Sequence, residues 1–484
     1  MISRRALFDK SARAFAAAAL LPPRAPGANE DAFPPGSYTP YGYLDNPYHC
    51  WDVHRSGVLR SAPGVGFGFL YPAGPGGYFD FAKNNVYESY LRLGFGIGDS
   101  IYWDPPDFGA DLISPHHSKN LFVYRFSRGN SVLTVEFVQV GEDALAARLK
   151  SSAGSAATRV FAANICRLGG SSWWGRDGLA GEYDAKDDCM LAHSFAAGPV
   201  FALMADRPSK GHYAGEDLGA WLKAPRDAVK ATTYHPHPLV CALAFDVPAG
   251  ESILIALARS ENRSAALLQA RRSRSRTPAV IATKREADRA FWSGAPRLEG
   301  DWPEHWKHGW VYDFETLRMM VRRPIGVYKH SWDAMQIQAP RNVLAETSID
   351  MWALSYADAA AAKEVFVGQF LDALADNIPC MREDGVMNMV AADGSECGTS
   401  ISWCYPFFCA ASIFDRTRDT AWLRTLYPGL ARLLRWTLRN RRDEAGFLIG
   451  KCSWETGMDA SKRFLIEQPT GGELTEFVRL VELQ

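Results

Sequence analysis

The sequence predicts a two-part protein, in which a β-sheet region is followed by an α-helical region. Short segments rich in β-branched and aromatic residues recur from about residue 60 to 260, and a helical spacing of apolar residues begins near residue 302. The 484 residues are too many for one ordinary core. We therefore expect an antiparallel β-sandwich over 28–262, a basic linker over 263–300 and a helical domain over 301–484.

The predicted strands are short and are separated by turn residues, which is typical of antiparallel sandwiches. The clearest hairpin joins residues 121–126 to residues 132–138 through the turn sequence Ser-Arg-Gly-Asn-Ser. Further strands are expected at residues 158–165, 200–204, 240–245 and 252–258.

The helical region is marked by apolar residues that recur every three or four positions. One such face contains Trp306, Trp310, Phe314, Leu317 and Val321. Residues 348–375 predict one or two Ala-rich helices, and the leucines of 423–434 predict another, which Pro428 either bends or restarts.

Composition excludes several classes of function. The 47% hydrophobic and 22% charged residues are typical of a soluble globular protein, and a net charge of −1 does not favour nucleic acid as a partner. The nine cysteines form no zinc-binding spacing, so we expect no structural metal and no cofactor. The sequence leaves the oligomeric state open.

Residues 1–27 have the features of an export signal. Two arginines, Arg4 and Arg5, precede a short apolar run at 14–21, and small residues follow near position 27. This order resembles a twin-arginine signal peptide, which implies a periplasmic or extracellular protein. The apolar run is too short to span a bilayer. The alternative is an ordinary basic N-terminus.

Residues 454–464 combine carboxylates with aromatic rings, as sugar chemistry requires. The segment Trp-Glu-Thr-Gly-Met-Asp-Ala-Ser resembles the Glu-Ser-Gly-Met-Asp-Asn-Ser signature of six-hairpin glycosidases, in particular glycoside hydrolase family 63 and its mannosylglycerate hydrolase group. The resemblance implies that Asp459 is the general acid. It also implies that Trp454, Glu455 and Arg463 contact the substrate. The alternative for Asp459 is a capping residue in a surface turn.

The resemblance further implies a β-sandwich followed by an (α/α)6 toroid. About six helices are predicted, half of a closed toroid, so we expect a C-terminally truncated form. In the family the general base is a Glu far downstream of the acid. The glutamates that follow Asp459 match no motif, and we assign no base.

Two further segments supply candidate substrate contacts. Glu346 and Asp350 are four residues apart, so they share one helical face and resemble the family's sugar-binding segment. The alternative is a first helical turn rich in acids because of the helix dipole. Trp332 and Asp333 form a Trp-Asp pair that competes with Glu346 for this role, and their alternative is a core Trp beside a solvated Asp.

Trp403 is a candidate floor for a sugar subsite, with core packing as its alternative. The sequence thus predicts a glycoside hydrolase that cleaves an α-linked oligosaccharide or small glycoside with inversion. A second reading is a non-catalytic carbohydrate-binding protein of the same fold. A polysaccharide lyase is a third reading, although no Tyr/His/Asn motif supports it.

Overall fold

A computed structural model describes most of the central part of the chain. The described residues are 65–72, 86–103, 107, 112–141, 143–152, 154, 157–169, 178–195, 200–230, 232–234, 237–334, 341–387, 405–446, 449–450 and 478–479. They form two compact units. The first comprises the described residues up to Ala290 together with Leu298–Met319, and the second comprises Phe291–Arg297 and the described residues from Met320 onward.

The first unit contains two large sheets, and this N-terminal region is β-sandwich-like. The seven-stranded sheet consists of β1 Val65–Pro72, β2 Val86–Ile97, β3 Ser100–Tyr102, β8 Thr158–Gly169, β12 Gly211–Gly215, β13 Ala228–Val229 and β15 Leu239–Val247. The nine-stranded sheet consists of β4 Leu112–His117, β5 Phe122–Arg128, β6 Ser131–Gln139, β7 Ala144–Ser151, β9 Gly178–Asp184, β10 Cys189–Ser194, β11 Val200–Ala205, β14 Thr232–Tyr234 and β16 Ser252–Ser260.

All the predicted strands are confirmed. The hairpin between β5 and β6 closes with Arg128 opposite Ser131, and Gly129 adopts a φ of +56° in the turn, where a side chain would be strained. The sheets pack face to face closely at Gly181 of β9. A Cβ atom there would lie only 2.9 Å from the Cys241 sulfur of β15, so this position requires a glycine.

Three helices belong wholly or mainly to the first unit: α1 Gly219–Lys223, α2 Arg263–Gly294 and α3 Glu304–Met320. The segment that we predicted as a basic linker is therefore mostly helix. Ala266, Ala270 and Ile281 of α2 pack on apolar residues of the nine-stranded sheet. Arg263 pairs with Glu182 at 2.7 Å and with Asp184 at 2.9 Å, so part of the basic charge binds the sheet's acidic turn.

The second unit is mainly helical, with short two-residue strands before, between and after its helices. Its helices are α4 Leu344–Leu354, α5 Ala359–Leu371, α6 Tyr405–Thr417 and α7 Thr420–Asn440. Its strands are β17 Val321–Arg322, β18 Trp332–Asp333, β19 Arg341–Asn342, β20 Met381–Arg382, β21 Ile449–Gly450 and β22 Val478–Arg479. The sequence predicted one or two helices in the Ala-rich segment, and the structure has two. Pro428 lies inside α7, so a restart at this residue is wrong.

Helices α5 and α7 are joined by polar contacts as well as by their apolar faces. Asp419 precedes α7, and its side chain accepts a hydrogen bond from the Trp422 backbone N–H at 3.0 Å. The same carboxylate pairs with Lys363 of α5 at 2.5 Å. The Trp422 indole donates to the Lys363 carbonyl at 3.0 Å. A capping residue of α7 therefore also fixes its contact with α5.

Candidate functional site

Four of the predicted substrate contacts lie together in the second unit. Trp332 and Asp333 form β18, and Glu346 and Asp350 lie on α4. The helical repeat brings Glu346 and Asp350 to one face because they are four residues apart. The fold brings Asp333 to this face, so that the three carboxyl groups interact electrostatically. The two segments that competed in the sequence for one role thus contribute to one acidic cluster.

The carboxyl groups of Asp333 and Asp350 are hydrogen-bonded to each other. The Thr347 hydroxyl donates a second hydrogen bond to Asp333 Oδ2 at 2.9 Å. Asp333 is 0% exposed, and Asp350 is partly buried. An ionised carboxylate loses its hydration when it is buried, and two adjacent anions would repel each other. The pair is therefore expected to keep a proton.

The pKa values of both carboxyl groups are raised, as a shared proton requires. Burial raises the pKa of Asp333 to about 6, although the hydrogen bonds from Thr347 and Asp350 oppose the rise. Burial also raises the pKa of Asp350 well above its ordinary value of 3.8, and the charge of Asp333 adds to this effect. The charge of Glu346 raises both pKa values further. The pair therefore keeps one proton, which lies in the hydrogen bond between the carboxyl groups of Asp350 and Asp333.

This pair is too close to be the two catalytic carboxyls of a glycosidase. Those groups stand about 5–5.5 Å apart in retaining enzymes and about 6.5–9.5 Å apart in inverting enzymes. Hydrogen-bonded oxygens lie only about 2.5–3.0 Å apart. A carboxylate accepts hydrogen bonds, and a protonated carboxyl also donates one, so the group is suited to holding hydroxyls.

The three carboxyls differ in their access to a ligand. Glu346 and Asp350 are partly exposed, whereas Asp333 is covered. A bound molecule would therefore meet Glu346 and Asp350, with Asp333 supporting Asp350 from beneath. Glu346 does lie in the first turn of α4, as the helix-dipole alternative requires. That alternative does not account for Asp350, which lies beyond the first turn and is paired with Asp333.

Trp332 is a core residue in this structure. Its side chain is 2% exposed, and its ring stacks on Tyr328 with 4.4 Å between centroids and an interplanar angle of 8°. Its indole N–H donates to the Arg323 carbonyl at 3.1 Å. The ring offers no exposed face to a sugar, which favours the core alternative for Trp332. The solvated Asp of that alternative is not observed, because Asp333 is buried.

The remaining predicted site residues lie outside the described part of the chain: Trp403, Trp454, Glu455, Asp459 and Arg463. Within the described part, no group of three His, Cys, Asp or Glu residues is arranged to hold a metal ion. Sequence reasoning missed Thr347, which nothing in its neighbourhood marks as a carboxylate partner. It also missed the contacts of Glu364 and Asp372 with the loop before β18, although Glu364, Gly368 and Asp372 recur every four residues.

Comparisons with known proteins show similarity at the level of the fold. No protein-family model matches the chain, and no curated protein matches it in sequence. The structure is similar to a bacterial glucoamylase in complex with acarbose, with a TM-score of 0.50 and 11% identity. The match covers 86% of this chain and 60% of the glucoamylase. This chain therefore spans less than two thirds of the length of that enzyme.

Two weaker similarities are to other carbohydrate-active proteins. A putative kojibiose phosphorylase from the human microbiome has a TM-score of 0.43 and 9% identity, over 84% of this chain and 58% of the other. A family GH92 inverting mannosidase from Bacteroides thetaiotaomicron has a TM-score of 0.34 and 12% identity, over 87% of this chain and 65% of the other.

The similarity to the glucoamylase is one of fold, and it agrees with the sequence resemblance to six-hairpin glycosidases. Over the part that it spans, the chain has a fold similar to that of this glucoamylase. Membership of family 63 stays a prediction. Among the described helices, none combines the length and the apolar character needed to cross a bilayer.

Proposed function

We propose that this chain is a glycoside hydrolase, or part of one, that acts on an α-linked oligosaccharide or glycoside. The observation that carries the proposal is the pairing of Asp333 with Asp350, with Glu346 close enough for its charge to raise the pKa of both. The residues had been predicted as sugar contacts from the sequence, and they come together in a chain whose fold is that of a glucoamylase. Glu346 and Asp350 would hold sugar hydroxyls, and Asp333 would position Asp350.

In the proposed reaction Asp459 protonates the leaving glycosidic oxygen, and a base activates water on the opposite face of the sugar, which inverts the anomeric centre. The base is unassigned. Trp403, Trp454, Glu455 and Arg463 are proposed to complete the sugar subsites, and an (α/α)6 toroid is the proposed architecture of the helical part. Export through residues 1–27 is also a proposal, which cell fractionation with Arg4 and Arg5 both changed to Lys would test.

The role of Asp459 can be tested with the full chain and a panel of α-linked glucose and mannose disaccharides. Because a positioned general acid contributes about 10²–10⁴-fold, Asp459→Asn should lower the rate of sugar release by about 100-fold or more. Asp415→Asn is the matched control, since Asp415 is an exposed residue whose partner is the neighbouring Arg418. The anomer released first, followed by proton NMR, reports inversion or retention.

Wild-type activity in Asp459→Asn would contradict the role of this residue. A protein that binds acarbose but releases no sugar from any member of the panel would instead be a non-catalytic carbohydrate-binding protein. An unsaturated product that absorbs in the ultraviolet would indicate a lyase.

A further inference from the structure

The loop before β18 lies against one stripe of helix α5. Glu364 and Gly368 lie on the helix and Asp372 directly follows it, so the three residues are four apart and share a face. All three contact the backbone or side chains of loop residues 329–331. This loop leads directly into Asp333, the buried member of the carboxyl pair.

Asp372 binds the start of the loop. Its Oδ2 accepts hydrogen bonds from the backbone N–H groups of Lys329 at 2.8 Å and His330 at 2.9 Å. Its Oδ1 lies 3.0 Å from Nδ1 of the His330 ring. The side chain of Asp372 is only 4% exposed. A buried carboxylate with three donors is well satisfied and holds them strongly.

Glu364 holds the rest of the loop by hydrogen bonds, and the loop packs closely on Gly368. Glu364 Oε1 accepts from the Ser331 backbone N–H at 3.1 Å and from the Ser331 hydroxyl at 2.9 Å. A Cβ atom on Gly368 would lie 2.6 Å from the His330 Cβ and 3.3 Å from the Ser331 carbonyl oxygen. Any side chain at this position would push the loop away from the helix.

We propose that Glu364, Gly368 and Asp372 are positioning residues that set where Asp333 meets Asp350, and thereby how Asp350 is presented to a sugar. Five hydrogen bonds fix the three residues that precede β18, and close packing on Gly368 sets their distance from the helix. That the bound ligand is a sugar rests on the proposed function. The role of the three residues in positioning Asp333 does not depend on that function.

A double-mutant cycle with acarbose as the probe tests the coupling. Asp372→Ala is expected to weaken acarbose binding at least about tenfold, because the displaced loop takes Asp333 with it. In the Asp333→Ala background, where no contact with Asp350 is left to lose, the same change is expected to alter binding less than about twofold. Additive effects would overturn the proposal. Asp376→Ala is the matched control, since Asp376 lies nearby, is half exposed and pairs with Arg432 at 3.4 Å.

A measurement without sugar separates this inference from the proposed function. Carbon-13 NMR of the carboxyl groups should show the pKa of Asp333 falling from about 6 toward 3.8 in Asp372→Ala and in Gly368→Ala, because a displaced loop admits water. Gly309→Ala is the control, since nothing lies within 4 Å of a Cβ there. Glu364→Gln keeps an acceptor oxygen and should preserve the wild-type value, whereas Glu364→Ala should lower it.

An unchanged Asp333 titration in the folded Asp372→Ala and Gly368→Ala variants would overturn the proposal. If instead the pKa of Asp333 falls but the wild-type protein binds no acarbose, the positioning role stands and the sugar-binding function fails.

Discussion

Asp333→Asn is expected to make the protein more stable at about pH 8, by about 3 kcal/mol. Asparagine has nearly the same shape as aspartate and still accepts a hydrogen bond from protonated Asp350. It also remains able to bond with the Thr347 hydroxyl, which lies 2.9 Å from Asp333 Oδ2. It removes the cost of a buried negative charge. The variant should bind sugar less well, because stability and function conflict at such a site.

The stabilisation by Asp333→Asn should increase as pH rises. Burial raises the pKa of Asp333 from 3.8 to about 6, so the folded protein binds more protons than the unfolded chain within this range. The contribution of Asp333 to the stability of the wild-type protein therefore falls as pH rises from about 4 to about 6, and remains lower above that. The difference of roughly two pKa units corresponds to about 3 kcal/mol. At about pH 3 the variant should have no advantage, since Asp333 is then protonated in both states.

Urea denaturation of both proteins at several pH values measures this difference. Burial also raises the pKa of Glu383 to about 7. Its ionisation therefore lowers the stability of the wild-type protein and of the variant alike as pH rises. Subtracting the two profiles removes its contribution. Asp376→Asn is the control, because loss of this half-exposed ion pair should change stability by less than about 1 kcal/mol. If Asp333→Asn were less stable than the wild-type protein at about pH 8, the claim that Asp333 is a destabilising buried charge would be wrong.

Asp288→Ala is expected to destabilise the first unit by about 3–5 kcal/mol. Asp288 of α2 is 0% exposed and accepts hydrogen bonds from Ser118 at 2.5 Å, Asn120 at 2.6 Å and Arg318 at 3.1 Å. Arg318 of α3 also pairs with buried Glu315 at 2.8 Å. Alanine would leave these buried donors with one fewer acceptor and would remove half of the charge that balances Arg318.

Equilibrium unfolding in urea gives the size of this effect. Asp288→Asn should cost less than alanine, because an amide oxygen still accepts from one of the donors. Glu286→Ala is the matched control on the same helix. Glu286 is exposed and pairs with the neighbouring Arg289, so its loss should cost less than about 1 kcal/mol. An Asp288→Ala protein as stable as the control would show that the buried network is dispensable.

Local patterns were sufficient to predict most elements of the fold. The strand at residues 132–138 alternates and ends at a turn with glycine, and the structure places β6 there. The helix that contains Trp306, Trp310 and Phe314 follows from their spacing alone. The nature of residues 263–294 was harder to predict, because their charge pattern fits a solvated segment and the apolar residues that pack on the sheet are small.

The candidate site was predicted only in part, because its central contact is tertiary. The spacing of Glu346 and Asp350 predicts one shared face, and this required no knowledge of the rest of the chain. That Asp333 meets Asp350 depends on how β18 packs on α4, which no local pattern encodes. Trp332 illustrates the opposite case, since its sequence suggests a sugar contact whereas the fold stacks it on Tyr328.

The proposed sugar-binding group consists of Asp333, Glu346 and Asp350. It is tested most directly by titrating the wild-type protein with acarbose at about pH 7 while the carboxyl carbon-13 resonances of Asp333 and Asp350 are followed. We expect saturable changes at both residues, larger at the partly exposed Asp350, because a sugar hydroxyl would join the hydrogen bond in which the two carboxyl groups share a proton. Acarbose binding that leaves both resonances unmoved, or no binding at all, would contradict it.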